Sequence, residues 1–257
     1  MSVSLQVRAI FTDLDATLLE PDATLLPETA ELLDELRAAG IPVVPVTSKT
    51  RLEVKRWLTE LSLPFGVFEN GAGLLGPSGA RAFERAVPVA RLRQALVELA
   101  GSTGLELVPL DTLDDAELSR LTGLAPEQVP AAKAREYDLP FLAPAQLDGR
   151  LERAVSEKPG LRLTRGGRFW HLLGDHDKSD GVRAVLDCAE LPREGLTVGL
   201  GDAPNDADFL AAVDVAVIVP GGGDTAALRR LLPGARLAPF PAGAGWTAAV
   251  RSLLDGA

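Results

Sequence analysis

The sequence contains a single cysteine, Cys188, among 257 residues, and it contains no long apolar run. One cysteine excludes an internal disulfide framework. No apolar stretch approaches the ~20 residues that a membrane-spanning helix needs. The first residues, MSVSLQVRAIF, lack the basic region, the apolar core and the cleavage site of a signal peptide. We therefore expect a cytoplasmic protein with no membrane partner.

Positive charge is also scarce, because 26 Lys and Arg residues face 36 Asp and Glu residues and the net charge is −10. This balance disfavours nucleic acid and anionic membranes as partners, since both attract basic proteins. An anionic small-molecule substrate would need a local cluster of positive side chains. The composition carries no signal for the oligomeric state.

Asparagine occurs only at Asn70 and Asn205, and histidine only at His171 and His176. Neither histidine has a nearby Ser or Cys nucleophile with a partner, so a catalytic triad is not predicted. The pattern of its strand places His171 on a packed face, and His176 is expected in a hinge. The two asparagines both fall where polar residues follow a strand.

The two ends of the chain alternate apolar strands with helices. Strands are predicted at 7–13, 41–46, 65–68, 196–201 and 215–219. Helices are predicted at 27–39, 51–61, 180–189, 206–212, from 224 onward, and at 245–254. Such alternation is typical of an α/β fold with a doubly wound, Rossmann-like parallel sheet. The middle of the chain has weaker strands and longer loops, which predicts an inserted second domain. The expected division is 1–80 and 175–257 for the sheet domain and 81–174 for the insertion.

Polar side chains follow every strand of the predicted sheet. The residues concerned are Asp13, Asp15, Thr17, Thr47, Ser48, Lys49, Glu69, Asn70, Asp202, Asn205 and Asp206. Ligands bind at the carboxyl ends of parallel strands, so these side chains are expected to converge on one crevice. Four carboxylates in one crevice require a divalent cation, and oxygen ligands suit a hard ion such as Mg²⁺.

One carboxylate of the Asp13 and Asp15 pair can bind metal while the other acts on a phosphorus atom as nucleophile. A neighbouring carboxyl group with a raised pKa can serve as general acid and then as base. A hydroxyl of Thr47 or Ser48, the Asn205 amide and an ammonium could hold the phosphoryl oxygens. Lys178 is the candidate ammonium.

Each motif has a plainer interpretation as well. The stretch DLDAT could be an Asx turn, and GDAPNDAD a polar loop with a helix cap at Asn205 or Asp206. A calcium loop is disfavoured, since the sixth position from Asp202 is Ala207 and the twelfth is Val213. TSKT could be a helix N-cap, and PGGG at 220–223 is interpreted as a turn before a cap at 224–225.

The motifs, taken in order, resemble those of the haloacid-dehalogenase-like phosphohydrolases. The matching residues are Asp13-x-Asp15-x-Thr17, Thr47 with Ser48, Lys178, and Gly201-Asp202-x-x-Asn205-Asp206. The resemblance implies that Asp13 is the nucleophile and Asp15 the general acid and base, with Thr47 and Lys178 on the phosphoryl group. It also implies that Mg²⁺ binds Asp13, Asp202 and the main-chain carbonyl of Asp15, supported by Asn205 and Asp206.

The insertion resembles the large α/β cap of the sugar-phosphatase branch of that family. The strings VTSKTRLEV, VFENGAGL and LTRGGRFWHLLGDHDKSDGV are similar to the mannosyl-3-phosphoglycerate phosphatases. This implies hydrolysis of mannosyl-3-phosphoglycerate during synthesis of the compatible solute mannosylglycerate. Glucosyl-3-phosphoglycerate, a sucrose-phosphate-like ester, or a phosphomutase reaction are the alternatives. Ser48-Lys49 replaces the Gly-Arg common in the wider branch, which leaves the role of Lys49 open.

The stretch LRLTRGGRFWHLL is interpreted as a hairpin with Gly166 and Gly167 in the turn. Arg165 and Arg168 would then lie opposite each other, an unfavourable arrangement unless an anion sits between them. We interpret them as a clamp for a substrate carboxylate, with a solvated hairpin tip as the alternative. Lys49 and Lys178 would complete a local positive cluster in an acidic protein.

Glu69 and Asn70 could reach a sugar hydroxyl, or they could simply form a turn at the end of a strand. A phosphoacceptor module resembling a receiver domain is the rival from another functional class. Asp15 and the insertion argue against it, because a receiver needs neither an acid/base group nor a lid.

Overall fold

The structure, a computed structural model, describes residues 7–144, 147–166, 169–188, 191 and 193–256. The strands within these residues are β1 Val7–Thr12, β2 Val43–Pro45, β3 Gly66–Phe68, β4 Gly73–Gly76, β5 Gly79–Ala82, β6 Val108–Pro109, β7 Asp138–Leu142, β8 Leu161–Arg165, β9 Trp170–Gly174, β10 Leu196–Gly201, β11 Val215–Ile218 and β12 Arg236–Leu237. The α-helices are α1 Pro27–Ala38, α2 Arg51–Glu60, α3 Val89–Thr103, α4 Asp115–Thr122, α5 Val129–Lys133, α6 Arg150–Ser156, α7 Lys178–Leu186, α8 Ala207–Leu210, α9 Thr225–Leu231 and α10 Ala242–Asp255. None of these helices is both long and apolar enough to cross a membrane.

A five-stranded parallel sheet in the order β12-β11-β10-β1-β2 forms the centre of the fold. Successive residues of β1 point to opposite faces, so Ile10 packs on one side and Phe11 on the other. Helices α1, α2 and α10 cover the Ile10 side, and α7, α8 and α9 cover the Phe11 side. Helices on both faces confirm the predicted doubly wound α/β sheet.

Strand β3 departs from the predicted arrangement. Within the described residues, its backbone pairing with the parallel sheet is limited to a bridge between Val46 and Val67, and it otherwise pairs antiparallel with β4 in a sheet ordered β3-β4-β5. The cause is the segment Glu69-Asn70-Gly71, whose φ angles are 47°, 54° and 92°. Three successive positive φ angles reverse the chain after β3 and return it alongside as β4.

A second hydrophobic core surrounds a four-stranded antiparallel sheet in the order β6-β7-β9-β8. Leu92, Leu96 and Leu99 of α3 and Leu151 and Val155 of α6 pack on this sheet. We call the segment that carries it, residues 87–174, the insert. The predicted boundary at residue 80 falls inside β5, and both predicted boundaries remain predictions.

The insert is joined to the parallel-sheet region by polar contacts around α2 and the turn after β3. Thr50 caps α2 and its Oγ donates to the carbonyl of Ala131 at 2.9 Å. Arg51 donates to both carboxylate oxygens of Glu136, the shortest contact being 2.7 Å. Glu69 lies between the two regions and is fully buried.

The Glu69 carboxylate accepts hydrogen bonds from three successive backbone N–H groups of the insert, those of residues 136, 137 and 138, at 2.5 to 3.1 Å. Burial raises the pKa of Glu69 to about 7, against the opposing effect of Arg135. Both oxygens are therefore used in joining the insert to the parallel-sheet region.

We expect Glu69→Gln to lower the free energy of unfolding by about 2 kcal/mol, because a Gln NH₂ group faces backbone donors and leaves one of them unpaired. The measurement is urea denaturation at pH 8.5, above the raised pKa of Glu69. Glu136→Gln is the matched control, since it removes only the half-exposed pair with Arg51 and should cost less than about 1 kcal/mol. Equal effects of the two variants would contradict this role of Glu69.

Gly71 and Gly79 give a second matched pair, because both have positive φ, 92° and 101°. A Cβ at Gly71 would lie 1.8 Å from the carbonyl oxygen of Asp177, whereas a Cβ at Gly79 would meet nothing within 4 Å. We expect Gly79→Ala to cost about 1 kcal/mol from backbone strain alone. Gly71→Ala should cost about 3 kcal/mol or more, because the clash adds to the strain. Thermal and urea denaturation would show the difference, and similar losses would refute it.

Candidate active site

Asp13 follows β1 at the carboxyl edge of the parallel sheet, and its N–H donates to the carbonyl of Leu200 at 2.9 Å. The chain then makes a wide turn over Leu14–Leu18, closed by a 2.9 Å hydrogen bond from Leu19 N–H to Leu14 O. The turn contains Ala16 at φ 55°. This geometry points the backbone away from the sheet immediately after Asp13 and exposes the side chain of Asp15.

The glycine loop after β11 packs directly on this turn. A Cβ at Gly221 would lie 2.2 Å from the carbonyl oxygen of Ala16, so only glycine allows the approach. Asp224 caps α9 by accepting from Ala227 N–H at 2.8 Å, as the sequence predicts. The PGGG stretch therefore positions neighbouring loops of the site.

Three carboxylates gather at the ends of β1 and β10. Oxygen atoms of Asp13, Asp202 and Asp206 lie within 4.8 Å of one another, and all three residues are buried. Lys178, which is 1% exposed, donates to Asp13 at 3.0 Å and to Asp206 at 2.6 Å. Thr17 donates to Asp202 at 3.3 Å.

The electrostatics of this cluster favour an added cation. Burial, together with the neighbouring carboxylates, raises the pKa of Asp13 to about 7 and that of Asp202 to about 8. Burial opposes the charge of Lys178, but the carboxylates of Asp13 and Asp206 outweigh it and raise the lysine pKa. One ammonium does not neutralise three carboxylates, and an all-oxygen cluster suits a hard divalent ion. The residues present therefore fit a Mg²⁺ site.

The carboxylate of Asp15 lies outside that cluster. Its side chain is 53% exposed and pairs with Lys49 at 2.8 Å. Burial opposes the charge of Lys49, but Asp15 and Glu53 outweigh it and raise the pKa of the lysine. Of the four carboxylates predicted for the metal, three therefore converge and the fourth is held by Lys49.

Asp206 has a second function besides its contact with Lys178. Its Oδ2 accepts from the backbone N–H groups of Asp202 and Ala203, both at 3.0 Å. These bonds hold the loop after β10 in the shape that brings Asp202 to Asp13. A Cβ at Gly201 would lie 2.7 Å from Asp206, so the residue before the loop must be small.

The other residues predicted to bind phosphate, Thr47, Ser48 and Asn205, lie near the same carboxyl edge of the parallel sheet. Thr47 is buried and its Oγ accepts from the N–H of Lys49 at 3.2 Å. Ser48 lines the adjacent cavity. Asn205 donates to Asn70 at 3.3 Å, and its Oδ1 is buried without a hydrogen-bond partner among the described residues.

A cavity of about 170 Å³ lies between the parallel-sheet region and the insert. The parallel-sheet region lines it with Asp15, Ser48, Lys49 and Glu53. The insert lines it with Arg135, Gly166, Phe169, His171 and several apolar side chains. Motif analysis missed Arg135 and Phe169. No local pattern marks either residue, and only the docked insert brings them to the cavity.

A larger and more apolar cavity, of about 360 Å³, lies near the amino end of β2. Leu33, Ile41 and Phe65 line it, and of the described residues that line it Arg37 is the only ionisable one. It contains none of the polar groups that gather at the carboxyl end of the sheet. The smaller cavity is therefore the candidate substrate cavity, because it adjoins the polar groups at the carboxyl end of the sheet.

The predicted arginine clamp is wrong in its register. Arg165 pairs across the hairpin with Trp170, and its guanidinium lies 5.3 Å from the centre of the Trp170 ring. The N–H of Gly166 donates to Phe169 O at 3.2 Å, so Gly166 is paired across the hairpin with Phe169. The sequence predicts Gly166 in the turn and Arg165 opposite Arg168. The observed pairing is therefore shifted by one residue from the predicted one. Gly167 and Arg168 lie outside the described residues, and Arg165 does not line the cavity.

His171 is 5% exposed, as its packed strand position predicts, and His176 is buried as well. His171 also lines the cavity, which the alternation of the strand did not indicate. Its Nδ1 lies 2.9 Å from the carboxylate of Asp138, a fully buried residue that also accepts from Asn70 at 3.0 Å. A polar network thus runs from Asn205 through Asn70 and Asp138 to His171.

Comparisons with known proteins agree with this geometry. Residues 10–98 match the family model of the haloacid dehalogenase-like hydrolases. A Persephonella marina protein named glucosyl-3-phosphoglycerate/mannosyl-3-phosphoglycerate phosphatase is 34% identical over 82% of this chain and 84% of its own length. The mannosyl-3-phosphoglycerate phosphatase of Pyrococcus horikoshii is 30% identical over 83% and 90%.

Solved structures show the same fold at low sequence identity. A haloacid dehalogenase-like hydrolase from Bacteroides thetaiotaomicron has a TM-score of 0.70 at 17% identity, covering 96% of this chain and 100% of its own. The sucrose-phosphatase of Synechocystis has a TM-score of 0.66 at 14% identity, covering 96% and 98%. On the strength of the sequence relatives, the chain belongs to the haloacid dehalogenase-like hydrolases and is a phosphoric monoester hydrolase.

Proposed function

We propose that this enzyme is a Mg²⁺-dependent phosphatase that hydrolyses mannosyl-3-phosphoglycerate to mannosylglycerate and phosphate, with glucosyl-3-phosphoglycerate as the alternative substrate. The observation that carries the chemistry is the buried Lys178 bridging Asp13 and Asp206 beside Asp202. The substrate is supported by the names of relatives at 30% and 34% identity. The cavity between the insert and the parallel-sheet region has room for part of a small sugar ester.

The carboxylates of Asp13 and Asp202 would hold the Mg²⁺ ion together with the main-chain carbonyl of Asp15, and Asp206 would hold the loop that presents Asp202. The ion, when bound, supplies positive charge that keeps these carboxylates ionised and offsets the charge of the phosphoryl oxygens.

Asp13 is the nucleophile in this proposal. One of its oxygens accepts from Lys178, and the other has no hydrogen bond within the described residues, so a free oxygen is available to attack phosphorus. Lys178 and Thr47 hold the phosphoryl oxygens, with Ser48 and Asn205 as further donors at the same edge. Attack forms an aspartyl-phosphate on Asp13 and breaks the bond between phosphorus and the glycerate oxygen.

Asp15 is the general acid and base. Its half-exposed carboxyl group lies at the cavity, where it can give a proton to the leaving glycerate oxygen. In the second step it takes a proton from the water that cleaves the aspartyl-phosphate. Lys49 holds the Asp15 side chain at 2.8 Å and thereby fixes its position beside the substrate.

The direct test is phosphate release, in the presence of Mg²⁺, from mannosyl-3-phosphoglycerate, glucosyl-3-phosphoglycerate, 3-phosphoglycerate and mannose 6-phosphate. We expect the glycosylated glycerates to have the highest kcat/KM. Asp13→Asn should lower kcat by about 10⁴-fold or more, as expected for loss of a nucleophile. It should fold normally, because it removes one of three mutually repelling buried carboxylates. Retained activity in this variant would refute the nucleophile, and preference for mannose 6-phosphate would refute the substrate.

Mg²⁺ should stabilise the protein in a pH-dependent way. The folded-state pKa values of Asp13 and Asp202, about 7 and 8, lie above the ordinary value of 3.8. Ionising these groups therefore disfavours the metal-free fold, and stability should fall as the pH rises from about 4 through 8. We expect added Mg²⁺ to raise Tm more at pH 8 than at pH 5, since the ionised carboxylates bind it.

Asp202→Asn is the control for this measurement, because it removes one ligand and one of the raised pKa values. The difference between pH 8 and pH 5 should shrink in this variant. A Mg²⁺ effect that is the same at both pH values, or that persists unchanged in Asp202→Asn, would contradict the assignment of the site.

A further inference from the structure

Among the described residues, the insert contributes two ionisable side chains to the cavity that the proposed chemistry does not use, those of Arg135 and His171. The side chain of Arg135 is 9% exposed and His171 is 5% exposed. Both are held by hydrogen bonds, and each retains one nitrogen without a hydrogen-bond partner among the described residues. Buried, fixed polar groups with unused hydrogen-bonding capacity are typical of a substrate-binding site.

The hydrogen bonds of Arg135 account for only part of its guanidinium. Nε donates to Ala132 O at 2.9 Å, and Nη1 donates to Ser48 O at 2.6 Å and to Asp138 at 3.4 Å. Nη2 donates to no described residue, so two N–H groups remain. The contact with Ser48 O places this guanidinium next to the end of β2. A carboxylate is the partner that such a planar, fixed donor recognises best.

The unused nitrogen of His171, Nε2, suits a different group of the substrate. Burial would raise the pKa of Asp138, but His171 and Arg135 outweigh it and hold that pKa below its ordinary value. The ionised Asp138 carboxylate can only accept, so Nδ1 of His171 carries the proton at the 2.9 Å contact. This bond occupies Nδ1 and leaves Nε2 as the free ring nitrogen of a residue that lines the cavity. A hydroxyl group suits this nitrogen, because a hydroxyl can both donate and accept a hydrogen bond.

We propose that Arg135 and His171 form the specificity site of the enzyme, in which Arg135 Nη2 donates to the carboxylate of the substrate and His171 Nε2 forms a hydrogen bond with a sugar hydroxyl. The inference rests on the proposed function, because it identifies the groups that recognise a glycosylated phosphoglycerate. It replaces the clamp of Arg165 and Arg168 suggested by the sequence. Arg165 lies instead over the ring of Trp170, outside the cavity lining.

The rest of the cavity wall fits the same occupant. Leu110, Leu118, Leu124, Pro140 and Phe169 give the insert side an apolar surface. A sugar ring has polar edges and apolar faces, so it can bury a face on this wall while a hydroxyl reaches His171. The glycerate carboxylate and the phosphate are on neighbouring carbons of the same ester. One substrate molecule can therefore place its phosphate at Asp13 while its other groups contact the insert.

The test compares four esters that carry the two recognition groups in all combinations. Mannosyl-3-phosphoglycerate has both, 3-phosphoglycerate has only the carboxylate, mannose 6-phosphate has only the sugar, and p-nitrophenyl phosphate has neither. Arg135→Lys keeps the charge but loses Nη2. His171→Asn keeps a donor toward Asp138 but removes Nε2. Arg93→Lys is the matched control, because Arg93 is an insert arginine that pairs with Asp111 away from the cavity.

We expect Arg135→Lys to lower kcat/KM about 10- to 100-fold for the two carboxylated esters, the size expected for losing a hydrogen bond to a charged group, and to change the other two less than about 3-fold. His171→Asn should instead affect the two sugar esters. Arg93→Lys should leave all four within about 3-fold. Where an ester turns over too slowly, its inhibition constant against the full substrate gives the same ratio. Thermal denaturation of each variant monitors folding.

Equal losses on all four esters would show that Arg135 and His171 only support the fold, and would overturn the proposal. A loss confined to carboxylated esters in Arg165→Lys, and absent in Arg135→Lys, would assign carboxylate recognition to Arg165 of the hairpin and would also overturn the proposal. The wild-type enzyme tests the proposed function separately, through its preference for mannosyl-3-phosphoglycerate. If that preference is missing, the ratio of 3-phosphoglycerate to p-nitrophenyl phosphate in Arg135→Lys still reports on the carboxylate site.

Discussion

The buried ammonium of Lys178 is the contact on which the rest of the site depends. It joins Asp13, 165 residues earlier, to Asp206, 28 residues later. Without this ammonium, three buried carboxylates would lie together with no positive charge beside them, which is strongly unfavourable. The two ends of the chain, separated by the whole insert, therefore meet at the atoms that carry the chemistry. The pairing of β1 with β10 in the parallel sheet brings these carboxylates together.

A second polar junction connects the insert to that centre. Glu69 holds three backbone N–H groups of the insert, and Asn70 contacts both Asp138 and Asn205. The positive φ angles of residues 69–71 permit this double contact and also end β3. The same strained turn thus determines the topology beside the parallel sheet and the position of the cavity wall that carries His171. The side chains that hold the insert in place therefore also hold the proposed recognition residue His171.

Local patterns predicted the parts of the structure that depend on local physics. The apolar run at 7–13 placed Asp13 at the end of a strand, and the rule that ligands bind at the carboxyl ends of parallel strands placed it at the same edge as Thr47 and Asp202. The antiparallel pairing of β3 depended on backbone angles that sequence does not show. The one-residue register shift at Arg165 depended on which residues close the turn. Arg135 was missed because its position results from a contact with Ser48, 87 residues away, rather than from any motif.

The charge distribution explains how an acidic protein can select an anionic ester. Lys49, Arg135 and Lys178 are all buried at the site, and each already contacts a carboxylate of the protein. These cations attract distant anions only weakly, because the neighbouring carboxylates of the protein largely compensate their charges. They can still discriminate at short range, since a buried donor with an unused N–H rejects a ligand that leaves it unpaired. In the proposed site, selectivity would therefore come from fixed geometry within the cavity rather than from net charge. The acidic surface is compatible with that mechanism because it leaves recognition to the few cations that the fold has buried.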